Sequence, residues 1–485
     1  MRTSSDGQYD LAVIGAGSGG IAAALAASRL GLSVLLIEAA DVIGGTMVRA
    51  GINVWEMGAG TTGIPFDLYK RLKRLPGGVG IYSFGRHQSW PTEKGKVPFP
   101  GGELVPDPAL HYRDTLQRHV PPGQVANEAY CRAVWHGVIT DPDQYLRAVH
   151  ELLAQTGQCT LLTSAPCVGV DCDADSLRSV RLADGSVIRA RSFIDATGDA
   201  VVCAAAGCEM MGGQEPRSRF GEPGAPEQST DRINGVTLVY RVTPAVTSLV
   251  ESLPPEVPQK CWWRPSLPSV SAARLPSGDY MMNMLPTLEG REYLDLGPAA
   301  AYAEARRRVL CHWHFVQTNW PEFRSYRLSW IAPALGVRES QRVVTEYVLT
   351  QLDLMAGLSG QSHTDVIAIA DHAMDRHGQG AALGEVRQPY GIPYRCLIPR
   401  GMCNLLVACR AAGFSALAAS SCRLTRTMME LGQAAGTAAA LADRLGVSLD
   451  QVPPDSLRSA LREQHVQLEW PTPPELTAYL AQEDA

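Results

Sequence analysis

A glycine-rich turn near the N-terminus constrains the fold of this chain more than any other feature. A buried strand predicted over Leu11–Gly15 runs directly into the pattern G-x-G-x-x-G, and an alanine-rich helix follows over Gly20–Leu30. The first glycine permits a tight turn, the second lets the backbone approach a pyrophosphate, and the third lets helix and strand pack closely. The helix N-terminus adds N–H donors and partial positive charge. This order predicts a dinucleotide-binding βαβ unit. Its predicted cofactor contacts are Gly15, Gly17, Ser18 and Gly20.

Glu38 completes this unit at the end of a second predicted strand, Ser33–Ile37. It follows the last glycine by 18 residues (38 − 20), at a position where a carboxylate accepts hydrogen bonds from a ribose diol. A second glycine turn comes next and suits a backbone that passes close to the pyrophosphate and ribityl chain of a longer cofactor. We therefore predict FAD rather than NAD. The residues of this turn are Gly44, Gly45 and Thr46.

The composition excludes several other classes of function. Of 485 residues, 45% are hydrophobic and 19% are charged, as in a soluble globular protein. The net charge of −6 offers no basic footprint for nucleic acid or anionic membrane, and no run approaches the roughly 20 apolar residues of a membrane helix. We expect a cytoplasmic protein with a small-molecule substrate and with neither nucleic acid nor membrane as a partner. The oligomeric state stays open.

The cysteines and histidines predict no metal site. The 12 cysteines form no C-x-x-C pair, which argues against zinc ribbons, iron–sulfur clusters and thioredoxin-like chemistry. The stretch C-H-W-H at positions 311–314 is the best metal candidate, but its two histidines are two residues apart and do not share a helix face. The alanine- and arginine-rich composition suits a high-GC bacterium, where flavoenzymes often serve biosynthetic pathways.

Several short stretches resemble one family. Residues 10–83, 139–205 and 330–445 are similar to FAD-dependent oxidoreductases with the glutathione-reductase-type FAD-binding fold, and to a subgroup marked by GVRES, IPYR and LGQAAGTAA motifs. The resemblance implies an α/β fold, in which a Rossmann FAD-binding domain carries an inserted α+β substrate domain. The stretches that carry it are Gly63–Phe66, Ile194–Asp199, Leu335–Ser340, Ile392–Arg395, Asn404–Arg410 and Leu431–Thr437.

Strand, helix and proline patterns divide the chain into six segments. Seven prolines between His87 and Gly123 predict a long insertion, and a helix over Asp143–Gln155 precedes a meander of four short β runs that leads to the strand Phe193–Ala196. The part after residue 453 looks peripheral. The predicted segments are the FAD-binding domain in three parts (1–86, 124–203 and 366–452), an insertion or lid (87–123), a substrate domain (204–365) and a C-terminal tail (453–485).

The resemblance implies further cofactor contacts beyond the first βαβ unit. The helix that contains Gly432 and Gln433 would aim its N-terminal amides at the pyrimidine side of the flavin and stabilise the reduced ring. The alternative is a small-residue helix that packs tightly in a core. Arg410 stands where many relatives place an aspartate on the ribityl hydroxyls. The remaining predicted contacts are Val168, Ala196, Thr197 and Gly198.

Missing motifs narrow the chemistry. Disulfide reductases of this fold carry a cysteine pair after the second glycine turn, but the segment Gly45–Gly51 contains no cysteine. No second strand–G-x-G-x-x-G–helix follows residue 100, so we expect electrons to enter from an organic substrate rather than from a bound nicotinamide. The D-G segment of aromatic hydroxylases and the W-x-W-x-I-P segment of halogenases are also missing, which makes both classes less favoured.

Four residues are candidates for the chemistry. His377 is the leading general base because its unperturbed pKa lies near neutral pH; the alternative is a hydrogen-bonded loop histidine. Arg338 either pairs with Glu339 between domains or binds a substrate carboxylate. Tyr394 and Arg395 lie on a short extended segment and either face the flavin ring or pack in the core.

These features favour a dehydrogenase or oxidase. It would remove hydride from a small organic amine or alcohol and pass the electrons to O2 or to an external acceptor. One alternative is a flavin-dependent monooxygenase of a biosynthetic pathway. Another, from a different class, is a non-catalytic flavoprotein or one that takes part in RNA modification; the acidic charge balance disfavours RNA.

Overall fold

The computed structural model of the protein describes residues 9–120, 127–378 and 383–484. The strands in these ranges are β1 (Tyr9–Ile14), β2 (Val34–Ile37), β3 (Val54–Trp55), β4 (Val79–His87), β5 (Gly101–Pro106), β6 (Gly137–Thr140), β7 (Cys159–Leu162), β8 (Cys167–Asp173), β9 (Ser176–Leu182), β10 (Val187–Asp195), β11 (Met210–Gly212), β12 (Val239–Pro244), β13 (Ser269–Arg274), β14 (Tyr280–Leu285), β15 (Tyr326–Ile331), β16 (Gln341–Val343), β17 (Val366–Ala370), β18 (Met374–Asp375), β19 (Leu383–Gly384), β20 (Tyr390–Pro393) and β21 (Leu405–Val407).

The helices alternate with these strands and cover both sheets. Among those in the described ranges, none is both long and apolar enough to cross a membrane. They are α1 (Ser18–Arg29), α2 (Gly45–Val48), α3 (Ile64–Lys73), α4 (Glu128–Val134), α5 (Pro142–Thr156), α6 (Val201–Ala205), α7 (Arg217–Phe220), α8 (Gly290–Asn319), α9 (Gln351–Gly360), α10 (Ala416–Cys422), α11 (Thr425–Leu445), α12 (Pro454–Glu463) and α13 (Pro474–Leu480).

A parallel sheet of order β7-β2-β1-β10-β21 forms the first half of the protein. The inner segments Leu11–Ile14 of β1 and Val34–Ile37 of β2 are apolar and buried, as expected where helices cover both faces of a parallel sheet. The long strand β10 leaves this sheet at its N-terminal end and pairs antiparallel with β9, which pairs with β8. The predicted α/β class with a Rossmann unit is confirmed.

The predicted four-strand meander contains only three strands. The first of the four runs, β7, pairs in parallel with β2 at the far edge of the sheet. It follows helix α5, so it completes a β-helix-β crossover instead of a hairpin. Periodicity alone does not distinguish the two cases, because a short apolar run has the same pattern in either sheet.

An eight-stranded sheet of order β15-β12-β14-β13-β5-β4-β6-β3 forms the second half. Four of its strands come from residues 54–140 and four from residues 239–331, so it combines two of the predicted segments. The predicted lid, residues 87–123, is corrected here. It contributes strand β5, which lies between β13 and β4 inside the sheet; residues 121–123 lie outside the described residues.

Small residues let helices α1 and α11 pack closely together on the cofactor side of the protein. Helices α1 and α11 pack with their backbones in contact, since a Cβ on Gly432 would overlap the carbonyl of Gly19 and one on Gly436 would overlap that of Ala23. The alternative of a tightly packed small-residue helix therefore describes the Leu431–Thr437 motif in this structure.

The C-terminal segment after residue 453 is not peripheral, contrary to the prediction. The backbone amide of Gln467 donates to the hydroxyl of Thr62 at 2.7 Å, and the carboxylate of Glu483, which is only 4% exposed, accepts from the amide of Tyr112 at 2.7 Å. Helix α12 places two fully buried leucines against the core. The tail thus completes the core next to the residues that follow β3.

Candidate active site

One cavity of about 840 Å³ joins the two halves of the protein. It begins at the carboxyl ends of strands β1, β2 and β10, where open α/β sheets bind their ligands. It ends against side chains of β4, β5, β13 and β14 in the second sheet. The two ends differ in chemistry, and we call them the glycine end and the charged end.

The glycine end presents an uncapped helix N-terminus. Gly17 is the N-cap of α1, no side chain accepts a hydrogen bond from this terminus, and the first turn contains no acidic residue. A Cβ on Gly17 would find open space, with the Cα of Gly45 nearest at 3.9 Å. The free amides and the open approach fit a pyrophosphate. Predicted residues that line this part are Gly15, Gly17, Ser18, Gly45 and Thr46.

Glu38 also lines the glycine end. Its two carboxylate oxygens accept from the amides of Ala16 and Ala40, both at 2.9 Å. These bonds fix the carboxylate at the cavity wall, and each oxygen keeps a lone pair for a further donor. The arrangement suits the ribose diol for which this residue was predicted.

Two predicted glycines shape this end from behind. Gly20 does not line the cavity, because it packs against Gly15, where a Cβ would overlap the carbonyl oxygen. Gly44 also lies behind the wall and adopts φ of 102°, a backbone conformation that favours glycine. Both residues therefore serve the turn and make no direct wall contact.

The far wall of the glycine end differs from the prediction at one position. Val168 is 60% exposed on the outer surface of β8, whereas the preceding residues 165–167 line the cavity. The predicted contact is thus displaced toward Cys167. The other predicted residues, Ala196, Thr197, Gly198 and Arg410, do line the cavity, and Arg410 donates to Asp199 at 2.6 Å.

A second helix N-terminus faces the middle of the cavity. Helix α11 begins at Thr425, its N-cap Leu424 makes no side-chain hydrogen bond, and both residues line the wall. Gly432 and Gln433 lie about two turns farther along and do not line it. Gln433 instead accepts from the amide of Ile64 at 2.9 Å. The predicted helix thus faces the cavity with its N-terminus, whereas these two residues contact other parts of the protein.

The charged end contains an aspartate–histidine pair. Nε2 of His377 lies 2.5 Å from Oδ2 of Asp375. Burial lowers the pKa of His377 to about 4, and the charge of Arg338 acts in the same direction. Burial opposes ionisation of Asp375, but the hydrogen bond from His377 holds the pKa of Asp375 well below its usual range. His377 is therefore neutral at pH 7, with its proton on Nε2.

A glutamate–histidine pair lies beside it. Nε2 of His372 is 2.7 Å from Oε2 of Glu56, and Nδ1 of His372 is 2.7 Å from the carbonyl of Ala373. Both ring nitrogens thus face an oxygen atom. Burial opposes ionisation of Glu56, but the charge of His372 lowers the pKa of Glu56 to about 2. No sequence motif marks this pair, whose members are 316 residues apart.

Three arginines complete the charged end: Arg338, Arg423 and Arg426. Arg423 lies 3.7 Å from the Asp375 carboxylate. Arg338 donates from Nη1 to the carbonyl of Gly235 and to the hydroxyl of Thr237, both at 2.7 Å. The predicted pair of Arg338 with its neighbour Glu339 does not form.

Glu339 binds a different arginine. Its carboxylate accepts from Arg342 at 2.6 Å and from the amide of Asn234 at 3.0 Å. It is buried and does not line the cavity. The side chains of adjacent residues in this extended segment point in opposite directions, so the two members of the predicted pair face different surroundings.

Two other catalytic candidates lie outside the cavity. The hydroxyl of Tyr394 donates to the carbonyl of Leu449 at 2.8 Å inside the core. Arg395 pairs with Asp365 at 3.0 Å and does not line the cavity. The prediction that they face the flavin is corrected, because the 3-10 turn Tyr394–Leu397 directs both side chains away from it.

The histidines of the C-H-W-H stretch are bound within the second half. Nδ1 of His312 is 2.7 Å from the hydroxyl of Tyr240, and Nδ1 of His314 is 2.9 Å from the carbonyl of Glu251. In the part of the chain that the structure describes, no group of three or more His, Cys, Asp or Glu side chains is arranged to hold a metal ion.

Comparison with known proteins identifies a family. The sequence model of a family described as FAD dependent oxidoreductase matches residues 10–461. Mitochondrial dihydrolipoyl dehydrogenase of Schizosaccharomyces pombe is 42% identical over 50 residues. That match spans 10% of this chain and 10% of the dehydrogenase.

Solved structures of similar architecture cover most of the chain at low identity. A geranylgeranyl bacteriochlorophyll reductase-like protein of Thermoplasma acidophilum has a TM-score of 0.46 and 12% identity, with 98% of this chain and 96% of that one covered. The myxobacterial chondrochloren halogenase has a TM-score of 0.44 and 13% identity, with 94% and 79% covered. A flavin-dependent brominase has a TM-score of 0.43 and 12% identity, with 94% and 83% covered.

Proposed function

The chain belongs to the family of FAD-dependent oxidoreductases, and on that premise we propose that it is a dehydrogenase or oxidase of a small organic amine or alcohol. Its electrons would pass to O2 or to an external acceptor. The cavity fits this assignment because it joins a cofactor-shaped glycine end to a charged end that offers a neutral base. FAD, when bound, supplies the acceptor for hydride.

The observation that supports this proposal best is the state of His377. Because Asp375 is ionised and accepts from Nε2, the ring is fixed as the tautomer whose Nδ1 lone pair is free. Nδ1 has no hydrogen-bond partner among the described residues, and the side chain lines the cavity. It can therefore take the N–H or O–H proton of a substrate while the adjacent C–H bond gives up hydride. Asp375 orients the ring and stays ionised.

Positive potential on the same side favours hydride acceptance. The α11 N-terminus faces the cavity beside Arg423 and Arg426, and its first turn contains no acidic residue. A helix N-terminus and two guanidinium groups stabilise negative charge that develops in a buried site. In our proposal these groups hold the negative charge that remains after hydride transfer.

Rapid mixing under anaerobic conditions tests the proposal. The FAD-loaded enzyme is mixed separately with NADH, with NADPH and with a panel of small amines and alcohols, and the visible absorbance of oxidised FAD is followed. We expect an organic substrate to bleach the flavin and both nicotinamides to act slowly. Prompt bleaching by NADPH, with none by any amine or alcohol, would contradict the proposal and favour the monooxygenase alternative.

A further inference from the structure

Arg338 is a partly buried cation that forms no direct ion pair among the described residues. It lines the charged end, and no carboxylate of the described residues lies within ion-pairing distance of its guanidinium. Its two hydrogen bonds use only Nη1 and end on neutral acceptors, Gly235 and Thr237. Nη2 and Nε are left to bind another group. A planar guanidinium with one edge free suits a carboxylate, which it can bind through two parallel hydrogen bonds.

The surroundings of Arg338 favour the binding of an anion beside its guanidinium. Burial lowers the pKa of Arg338 to about 9, the charge of Arg423 acts in the same direction, and the more distant charges of Asp375 and Glu56 oppose it only in part. The group still carries its proton at neutral pH, so its charge is held in a site that disfavours it. An unpaired buried charge is unfavourable, and an anion that enters the cavity would remove this cost.

A carboxylate of opposite charge lies on the same wall. The side chain of Glu56 is 44% exposed, and because the residue lines the cavity this exposed part faces the space where a substrate would lie. Oε2 is bound to His372, so Oε1 is the atom left for a ligand. The charged end therefore offers an anion site at Arg338, a cation or donor site at Glu56, and a neutral base at His377.

We propose that the substrate is a small amino acid, whose carboxylate binds Arg338 and whose ammonium group binds Glu56. This inference rests on the proposed function and specifies its substrate class. In the step, the ammonium N–H proton goes to Nδ1 of His377 and the Cα–H leaves as hydride to FAD. The carbon–nitrogen single bond becomes a double bond, so the two electrons and both hydrogens are accounted for and the product is an imino acid.

The Arg338 cation has one other role to exclude. Instead of a substrate carboxylate, it could neutralise negative charge on the reduced flavin ring. The two roles differ in their response to an acid that does not react. Only a substrate-binding role makes the affinity for such an acid depend on Arg338.

Binding of unreactive acids to the FAD-loaded enzyme tests the proposal without turnover. The probes are acetate and benzoate, each matched with its primary amide, and the readouts are calorimetry and the perturbation of the flavin absorbance. We expect at least one acid to bind the wild-type enzyme about 10- to 100-fold more tightly than its amide, as for a charge-assisted pair. We expect Arg338→Met to abolish this preference and Arg338→Lys to restore part of it.

Arg395→Met is the matched control, since Arg395 lies outside the cavity, and it should keep the wild-type preference. FAD content and thermal melting of each variant establish that it is folded. The inference is overturned if neither acid binds better than its amide, or if the preference survives in Arg338→Met. A shift of the flavin midpoint potential in that variant, without a change in acid binding, would assign the cation to the flavin.

Failure of the inference and failure of the proposed function give different results. If acids bind through Arg338 but no amine, alcohol or amino acid bleaches the flavin, the proposed function fails and the anion site stands. If simple amines or alcohols bleach the flavin while acids do not bind, the function stands and the amino acid assignment fails. If hydroxy acids reduce the flavin faster than amino acids do, the proposed role of Glu56 as the ammonium-binding residue is overturned.

Discussion

The two ends of the cavity are built by opposite means. At the glycine end the wall is mainly backbone: an uncapped helix terminus, two glycine turns and one carboxylate that is held by main-chain amides. At the charged end the wall is side chains from distant parts of the chain, such as Glu56 and His377. The first end depends on chain geometry and the second on charge. Substitutions should therefore affect the two ends in different ways.

The largest effect is expected where glycine supports the fold itself. A side chain on Gly20 would overlap the carbonyl of Gly15, so Gly20→Val should destabilise the protein by more than about 3 kcal/mol and yield insoluble or unfolded chains. Gly17→Val should instead fold normally, because a Cβ there meets open space, and should lose FAD. Melting of the apoprotein and flavin content measure the two effects. Gly212→Val, at an open exposed position, is the control.

A result in which Gly17→Val binds FAD normally would contradict the position of the cofactor. Unfolding of Gly17→Val would mean that Gly17, like Gly20, is needed for the fold itself. Either outcome would remove the contrast between fold and cofactor that separates Gly17 from Gly20.

The next largest effect concerns the base at the charged end. His377→Ala should retain FAD and stability but slow flavin reduction by substrate about 10²- to 10⁴-fold, the usual contribution of a general base. Because the pKa of His377 is lowered to about 4, the wild-type reduction rate should stay flat from pH 8 to pH 5 and fall only below that. Stopped-flow measurements across this range check both points. A rate that falls with a midpoint near pH 6.5 would assign the base elsewhere.

A smaller effect is expected at a buried acid behind the charged end. Burial raises the pKa of Glu430 to about 8, while one oxygen accepts from the amide of Thr61 at 2.6 Å. The unfolded chain ionises this group near its ordinary value of 4.5, so the folded state holds the extra proton between those values. Stability from Glu430 is thus present below pH 4.5 and is lost as pH rises through about 8.

Glu430→Gln keeps the acceptor for Thr61 and cannot ionise. The difference in melting temperature between variant and wild type should therefore grow in favour of the variant from pH 5 to pH 8 and then level off. The pKa shift of Glu430 corresponds to roughly a few kcal/mol at most in the free energy of unfolding. A difference that does not depend on pH would show that Glu430 titrates as an ordinary glutamate. Glu430 does not line the cavity, so FAD content should not follow this trend.

The smallest effect is expected at Tyr394. Its hydroxyl donates one buried hydrogen bond to Leu449, so Tyr394→Phe should lower the free energy of unfolding by about 1 kcal/mol and leave flavin reduction unchanged. Denaturant unfolding and stopped-flow reduction measure the two quantities. A large loss of reduction rate in this folded variant would restore the catalytic role that its position disfavours.

The same contrast explains what could be predicted from the sequence. The near wall of the glycine end is encoded within 31 consecutive residues (15 to 45), so spacing alone identified Gly17, Glu38 and Gly45 as wall residues. Val168 was misplaced because a strand pattern does not show where the cavity wall ends. Gly432 was misassigned because close helix packing and close approach to a cofactor both require the same small residues.

The charged end could be predicted only in part. His377 and Arg338 were identified by motif and resemblance, and both line the cavity. The role of Glu56 gave no signal, because one acidic residue after a two-residue strand is common and its histidine partner lies 316 positions away. Strand β5 was missed because its proline-rich surroundings suggested a loop, although tertiary pairing with β13 places it inside a sheet.

The contact between the C-terminal segment and the turn after β3 has a consequence for biosynthesis. The amide of Gly60 donates to Oε1 of Gln467 at 3.0 Å, and Thr62 accepts from the same residue. Glu56 and Gly60 are synthesised early, but Gln467, whose side chain accepts from the amide of Gly60, is made more than 400 residues later. The glycine turns and Glu38 are thus synthesised early, whereas the turn that follows Glu56 gains these two hydrogen bonds only after Gln467 has been made. Fragments that stop before Gln467 would fold the nucleotide-binding half but would lack the two hydrogen bonds to the turn that follows Glu56.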